Sequence, residues 1–222
     1  MEELKIAALL DLNQTEFADV FDDCKYPFEI LKNIKSYVLA KGHHLDSKYK
    51  MIKENVWVGE GSIVADSALI EGPAIIGCNC EIRHGAFIRG NAVIGNNCVI
   101  GNSTEVKNSF LFNNVQAPHF NYVGDSVMGY KSHVGAGVIL SNVKSIPGNV
   151  TIRISKEIVE TGLRKFSSVL GDFVEVGCNS VLNPGTVVGR GSVIYPLTNV
   201  RGYIPENCIV KNDGKAYPKR VE

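Results

Sequence analysis

The chain of 222 residues has no net charge, because 23 Lys and Arg residues are balanced by 23 Asp and Glu residues. Such a balance lacks the cationic excess that is typical of proteins binding nucleic acids or acidic membranes, so neither partner is expected. No apolar run approaches the ~20 residues of a membrane-spanning helix. The first residues, MEELKIAALLDLNQTEF, include acids where a signal peptide has bases, so we expect a cytoplasmic protein.

The six cysteines form no metal-ligand pattern, since Cys78 and Cys80 are spaced C-x-C and not C-x-x-C. We expect small buried side chains in a reducing compartment. Cys80 and Cys98 are eighteen residues apart at equivalent positions of the repeat described next, so we predict two adjacent, buried, free thiols.

A six-residue period runs through most of the chain. Apolar residues, mostly β-branched, recur at Val58, Val64, Ile70, Ile76, Ile82, Ile88, Ile94, Ile100, Val106 and Phe112, then at Met128, Val134 and Leu140, and again at Leu170, Val176, Leu182, Val188 and Ile194. In the first series, the residue two places before the apolar residue is small at most positions. Glycine often comes directly after the apolar residue, as a tight corner requires. This period predicts an all-β fold, a parallel β-helix in which three hexapeptides form one coil.

The period also divides the chain into parts. Residues 1–54 lack it and have helical spacing, so we predict a short N-terminal helical cap on the first open edge of the β-helix. Residues 55–200 form the β-helix of about seven coils, with an excursion at 143–168 that we interpret as a short hairpin. Residues 201–222 form a C-terminal tail.

The period is lost around residues 118–126, PHFNYVGDS, and we predict a functional loop there with His119. Residues eighteen apart stack on one face, which brings Arg89 and Lys107 together, with Glu71 one coil below Arg89. Two stacked cations repel unless an anion lies between them. The pair is either a clamp for a phosphate or carboxylate, or a solvated surface pair.

A zinc site built from histidines is a weaker alternative. His84 and His119 lie about two coils apart, roughly 10 Å, whereas zinc requires ligands at ~2.0–2.1 Å from the metal. We therefore expect no metal site within one chain.

The stretches PHFNYVGDS, HVGAGVILSN and KFSSVLGDFVEVG resemble the active-site signature of the acetyltransferase half of the bifunctional enzymes that acetylate glucosamine 1-phosphate and then uridylylate it. The resemblance implies a left-handed parallel β-helix, a homotrimer with active sites between subunits, and acetyl-CoA as co-substrate, with no metal needed for acetyl transfer. It implies His119 as general base. The matching substrate-binding positions are Arg89, Lys107, Tyr122, His133, Asn142 and Lys165, and the matching acetyl-CoA positions are Ala136, Cys178, Pro196 and Lys211.

Three positions depart from that family's pattern. His133 stands where the family usually has Asn, Cys178 replaces a serine, and Lys211 is the nearest cation to an arginine expected near the tail. The glycine-rich nucleotide loop of the uridylyltransferase half does not occur in residues 1–54, so that activity is not expected.

The resemblance therefore predicts a CoA-dependent N-acetyltransferase of nucleotide-sugar biosynthesis that acts on an amino-sugar phosphate, with glucosamine 1-phosphate as the first candidate. A neutral imidazole at His119 would take a proton from the attacking amine, and backbone N–H groups at Val134-Gly135-Ala136 would hold the oxyanion. Three alternatives stay open. They are a hexapeptide acyltransferase with another acceptor, a non-catalytic trimeric scaffold that binds sugar phosphates, and a covalent route through Cys178.

Overall fold

The computed structural model describes residues 1–219, so residues 220–222 of the expected tail lie outside the described residues. Helices are confined to the N-terminal segment: α1 (Ile6–Leu9), α2 (Ile34–Gly42) and four 3₁₀ turns (Glu2–Leu4, Leu12–Gln14, Ala18–Phe21, Pro27–Lys32). Within residues 1–219, none of these helices has the length and apolarity required to cross a bilayer.

Short strands make up the rest of the described chain. In chain order they are β1 (Tyr49–Lys53), β2 (Val56–Gly59), β3 (Ile63–Val64), β4 (Leu69–Glu71), β5 (Ala74–Ile76), β6 (Glu81–Ile82), β7 (Phe87–Arg89), β8 (Ala92–Ile94), β9 (Val99–Asn102), β10 (Glu105–Lys107), β11 (Ser109–Leu111), β12 (Gln116–His119), β13 (Tyr122–Gly124), β14 (Val127–Met128), β15 (His133–Val134), β16 (Ile139–Leu140), β17 (Thr151–Ile154), β18 (Glu157–Glu160), β19 (Ser168–Leu170), β20 (Glu175–Val176), β21 (Val181–Leu182), β22 (Thr186–Val188), β23 (Val193–Ile194), β24 (Asn199–Val200), β25 (Tyr203–Ile204), β26 (Cys208–Val210) and β27 (Ala216–Pro218).

Every third strand of the β-helix joins the same sheet. Sheet A has the order β1-β2-β5-β8-β11-β14-β19-β22-β25, sheet B runs from β27 through β26-β23-β20-β15-β12-β9-β6 to β3, and sheet C runs from β24 through β21-β16-β13-β10-β7 to β4. Pairing is parallel except for β1 and β27, each of which lies antiparallel at one end of its sheet. The all-β fold of stacked hexapeptide coils is confirmed, with seven complete coils from β2 to β24.

The inward residues follow the predicted period except at two corners. In sheet A, Ile94 pairs with Leu111 and Leu111 with Met128, so Leu111 holds the inward position that the sequence assigned to Phe112. The step from Val106 to Leu111 is five residues instead of six, and the same shortening recurs from Val123 to Met128 in the next coil. Because both residues 111 and 112 are apolar, the hexapeptide pattern alone did not show this change.

Residues 118–126 are not expelled from the β-helix as a loop, which corrects the expectation. They contain the end of β12 and the whole of β13, and Ala117 takes the inward position between Ile100 and Val134. His119 therefore lies on a regular corner of the β-helix between sheets B and C. Its position is fixed by the stacked coils and not by loop conformation.

The helical segment lies along the flank of sheet A, whereas β1 pairs at the end of that sheet. Phe21 packs edge-on against Phe110 with ring centroids 5.2 Å apart, and Phe28 packs against Phe166 at 5.3 Å. Sheet A is apolar on its outer face as well, since Val93 and Phe110 are fully buried. The segment covers this second apolar face, which a cap on the first coil would leave exposed.

The excursion leaves the β-helix after Asn142 and forms an antiparallel hairpin of β17 and β18. Leu140 and Leu182, which lie on either side of the excursion, still pair through β16 and β21. The insertion therefore does not disturb the stacking of the coils. It adds a projecting element beside the corner between sheets C and A.

Candidate functional site

The corner between sheets B and C carries a column of residues that stack coil upon coil. Strand register places His119 above Asn102, and the same register places Ala136 above His119. Cys178 and Pro196 continue the column in the next two coils. The structure thus brings the predicted general base and three of the predicted acetyl-CoA positions to one edge of the molecule.

The backbone around His119 is held by close packing and by one buried amide side chain. A Cβ atom at Gly101 would lie 1.5 Å from the carbonyl oxygen of Pro118, so only glycine allows this approach. Asn121 is buried, accepts a hydrogen bond from the His119 N–H (3.1 Å) and donates one to the Gly135 carbonyl (2.7 Å). The His119 side chain itself is exposed to solvent.

Sheet C carries the predicted cation pair on neighbouring strands, but each cation has its own carboxylate. Arg89 Nη1 lies 2.9 Å from Glu105 Oε1. Glu71, which the sequence suggested as the partner of Arg89, is in register with it one coil below but makes no ion pair with it in residues 1–219. Glu105 reaches Arg89 because it lies on the adjacent strand β10 on the other side.

Lys107 lies 3.3 Å from Asp125, whose side chain is only 5% exposed. The two oxygens of this carboxylate also accept hydrogen bonds from Asn108 Nδ2 (2.8 Å) and from Asn142 Nδ2. Asn142 donates in turn to the Tyr122 hydroxyl at 3.0 Å. Asp125 is therefore the centre of a hydrogen-bonded cluster that contains three of the predicted substrate-binding residues.

The Tyr122 side chain is half-buried at the middle of sheet C. Burial, followed by the negative charges of Glu105 and Asp125, raises the pKa of its phenol above the ordinary value. The hydroxyl therefore stays protonated at neutral pH and remains able to donate a hydrogen bond. Lys165 directly precedes Phe166, whose N–H donates to the Asn142 carbonyl (3.1 Å), so the backbone of Lys165 lies where the excursion rejoins the β-helix beside Asn142.

Two predicted residues lie apart from this cluster within one chain. His133 is on sheet B, with Nδ1 2.7 Å from Glu175 Oε2, and not on the sheet that carries Arg89 and Tyr122. Lys211 follows β26 and places its ammonium 4.9 Å from the ring centre of Tyr217. No cluster of three or more His, Cys, Asp or Glu side chains in residues 1–219 is arranged to hold a metal ion.

Three residues of the site were not predicted: Glu105, Asn121 and Asp125. Asp125 had a partial signal, because it follows Lys107 by eighteen residues, although the shortened coil pairs Lys107 with Gly124. Glu105 and Asn121 had none, since their roles depend on which neighbouring strand each side chain faces.

The stacked three-stranded coils define a hexapeptide-repeat β-helix protein with a polar cluster on one sheet. A family model described as the GMPPB C-terminal domain matches residues 70–194, more than half of the chain. The chain belongs to that family.

Curated relatives confirm the resemblance to bifunctional sugar-phosphate enzymes. The bifunctional protein GlmU of Methanococcus vannielii is 36% identical over 109 residues, which is 49% of this chain and 24% of the relative. The bifunctional sugar-1-phosphate nucleotidylyltransferase/acetyltransferase of Sulfurisphaera tokodaii is 33% identical over 92 residues, 41% of this chain and 23% of the relative. The chain thus spans about a quarter of the length of these relatives.

Among solved structures, a mutant of AntD, an N-acyltransferase from Bacillus cereus in complex with dTDP and coenzyme A, aligns over 79% of this chain and 92% of its own. The sequence identity is 16% and the TM-score is 0.41.

Proposed function

We propose that the protein transfers an acetyl group from acetyl-CoA to the amine of an amino-sugar phosphate, with glucosamine 1-phosphate as the first candidate acceptor. The observation that carries this proposal is the continuity of one surface. His119 lies at a corner, with the polar cluster of Tyr122 and Asn142 on the sheet that begins there. Ala136 and Cys178 extend along the same corner.

In this proposal His119 acts as the general base. The acceptor amine attacks the thioester carbonyl carbon while the neutral imidazole takes the proton from nitrogen. The C–S bond then breaks, and the leaving thiolate takes the proton from the imidazolium, so coenzyme A leaves as the thiol and His119 is neutral again. Fixing both reactants at one corner supplies the orientation that the reaction needs.

The corner above His119 also offers a place for the developing negative charge. The Gly135 N–H donates to Val176 and the Gly137 N–H donates to the His119 carbonyl. Between them, the N–H of Ala136 makes no such bond within residues 1–219, and it lies in the coil directly above His119. We assign the oxyanion contact to this amide rather than to the whole glycine-rich turn.

Arg89 and Lys107 would bind the acceptor phosphate, and Tyr122 and Asn142 would orient the sugar. The remaining predicted residues, His133, Lys165 and Lys211, would complete the site from a neighbouring subunit of a homotrimer. Exposed apolar side chains on sheets B and C support an association of this kind: Ile63 (69%), Leu69 (51%) and Ile139 (37%). Their burial between subunits would be favourable.

The test is thiol release from acetyl-CoA with a panel of acceptors: glucosamine 1-phosphate, glucosamine, other primary amines and alcohols. We expect the highest kcat/KM with the amino-sugar phosphate. A second candidate, an acyltransferase with an acceptor that lacks phosphate, is favoured by the carboxylates already paired with Arg89 and Lys107. Preference for an unphosphorylated acceptor would replace the first proposal by the second. Binding of sugar phosphate without turnover would reject both in favour of a scaffold.

A further inference from the structure

A cleft of about 370 Å³ lies between the hairpin and sheet C, away from the His119 corner. Its lining includes three cations, Lys144, Arg153 and Arg201, and no Asp or Glu. The Lys144 ammonium donates to the Asn149 carbonyl (2.9 Å), so this cation is held at the base of the excursion. The chain as a whole has no net charge, so a cleft whose charged lining residues are all cations is a local excess of positive charge that needs an explanation.

Two corner glycines allow the hairpin to lie against the coils. A Cβ atom at Gly185 would come within 2.2 Å of the Thr151 carbonyl oxygen, and one at Gly202 would come within 2.8 Å of the Arg153 carbonyl oxygen. The same built atom at Gly202 would lie 3.5 Å from the Arg153 Cβ. Arg153 is therefore packed beside Gly202, the residue that follows Arg201, and the two arginines belong to adjacent backbones.

These cations differ from those of the polar cluster. Arg89 is neutralised by Glu105 and Lys107 by Asp125. Neither Arg153 nor Arg201 forms an ion pair with a carboxylate of residues 1–219, although they line one cleft. Cations that line one cleft repel each other, and an anion bound between them removes that cost. Guanidinium groups match the oxygens of phosphate in two-point contacts.

We infer that this cleft is a second anion site, which binds a phosphate-bearing small molecule. Its contacts would be Arg153, Arg201 and Lys144, with polar support from the Ser141 hydroxyl of the lining. Ser141 and Asn183 directly follow the paired inward residues Leu140 and Leu182, so they stack one above the other. Arg201 directly follows Val200, which pairs with Leu182, and continues that stack in the next coil.

The test uses inorganic pyrophosphate as the probe and measures its affinity by isothermal titration calorimetry, without any turnover. We expect Arg153→Gln and Arg201→Gln each to weaken pyrophosphate binding by roughly tenfold or more, as loss of a charge-assisted contact implies. Lys156→Gln is the matched control. It removes a cation at the turn of the same hairpin that does not line the cleft, and it should leave the affinity unchanged.

A second measurement identifies the source of the phosphate. If coenzyme A loses affinity in Arg201→Gln while pantetheine does not, the bound phosphates are those of the acyl donor. If pyrophosphate binding is lost while coenzyme A affinity stays, the cleft holds a separate phosphate ligand. Equal pyrophosphate affinity in wild type, Arg153→Gln and Arg201→Gln would overturn the inference, as would no binding to the wild type. Because both arms measure binding alone, their outcome is independent of whether the chain transfers acetyl groups.

Discussion

The buried carboxylate of Asp125 accepts a hydrogen bond from the side chain of Asn142 and lies 3.3 Å from the Lys107 ammonium. Asp125→Asn should therefore destabilise the protein by about 1–3 kcal/mol, because one buried acceptor becomes a donor that faces other donors. Urea unfolding measures this loss. Asp66→Asn, on an exposed corner, is the control and should change stability little. The KM for a phosphosugar should also rise in Asp125→Asn, since Lys107 is no longer held. Unchanged stability and KM would show that Asp125 does not organise the cluster.

His119→Ala should lower kcat by ~10²–10⁴ and leave coenzyme A affinity nearly unchanged, if the imidazole acts as general base. His84 provides a matched control, because it lies in the same corner column two coils below. His84→Ala should keep normal turnover. A His119→Ala variant with near-normal kcat would remove the proposed mechanism.

The cation pair can be tested with a phosphorylated and an unphosphorylated form of one sugar. Arg89→Ala and Lys107→Ala should each weaken the phosphorylated form far more than the other, and the difference should shrink at high salt. Glu105→Gln should act in the opposite direction, because the anion that competes for Arg89 is removed. Arg83, which pairs with Glu81 on sheet B, is a suitable control. Equal losses for both sugars in the Arg89 and Lys107 variants would exclude a phosphate clamp.

The thiols should differ sharply in their rate of labelling. Cys80 and Cys98 are fully buried, so reagents should reach both thiols only on unfolding. Burial also raises the pKa of the Cys98 thiol well above its ordinary value, whereas the hydrogen bond with Cys98 lowers the pKa of the Cys80 thiol. Cys178 is exposed and should react in the native protein. Mass spectrometry of labelled peptides separates the sites. If the corner column binds the acyl donor, coenzyme A should slow labelling of Cys178. Fast native labelling of Cys80 would contradict the inward assignment of that position.

A shared site between subunits predicts complementation. Mixed trimers of inactive His119→Ala and inactive Lys165→Ala chains should recover part of the activity, because some sites would then combine an intact His119 with an intact Lys165. Native mass spectrometry should first establish that mixed trimers form. Mixed trimers that remain inactive would place both residues in a site formed by a single chain.

The repeat was predictable because one side chain in six must enter a narrow interior, and β-branched residues fill it. The change at Leu111 was not predictable from that rule, since Phe112 is also apolar and is buried against Phe21 instead. The flanking position of the helical segment had a signal, because in sheet A the residue before the inward one is apolar in successive coils, as in Ile75, Val93 and Phe110, whereas sheets B and C have polar residues at several of these positions. Sequence period alone does not state which surface those residues face.

The candidate site was also predictable from the sequence only in part. His119, Tyr122 and Asn142 came from a resemblance in short motifs, and the structure brings them to one corner and its adjoining sheet. The partners of the cations could not be chosen from spacing, because Glu71 and Glu105 both lie one strand away from Arg89, on opposite sides. The orientation of side chains on neighbouring strands decided between them.

The N-terminal segment also has a consequence for cooperativity. In repeat proteins each repeat contacts only its neighbours, so the ends can fray independently of the middle. Here the N–H of Asp11 donates to the Asp172 side chain (2.8 Å), and the N–H of Asn113 donates to the Gln14 carbonyl (3.2 Å). One short stretch of chain, residues 11–14, thus joins the fourth coil to the sixth. These ties convert a one-dimensional stack into a unit in which distant coils are lost together, and residues 11–14 complete their contacts only when the sixth coil has formed.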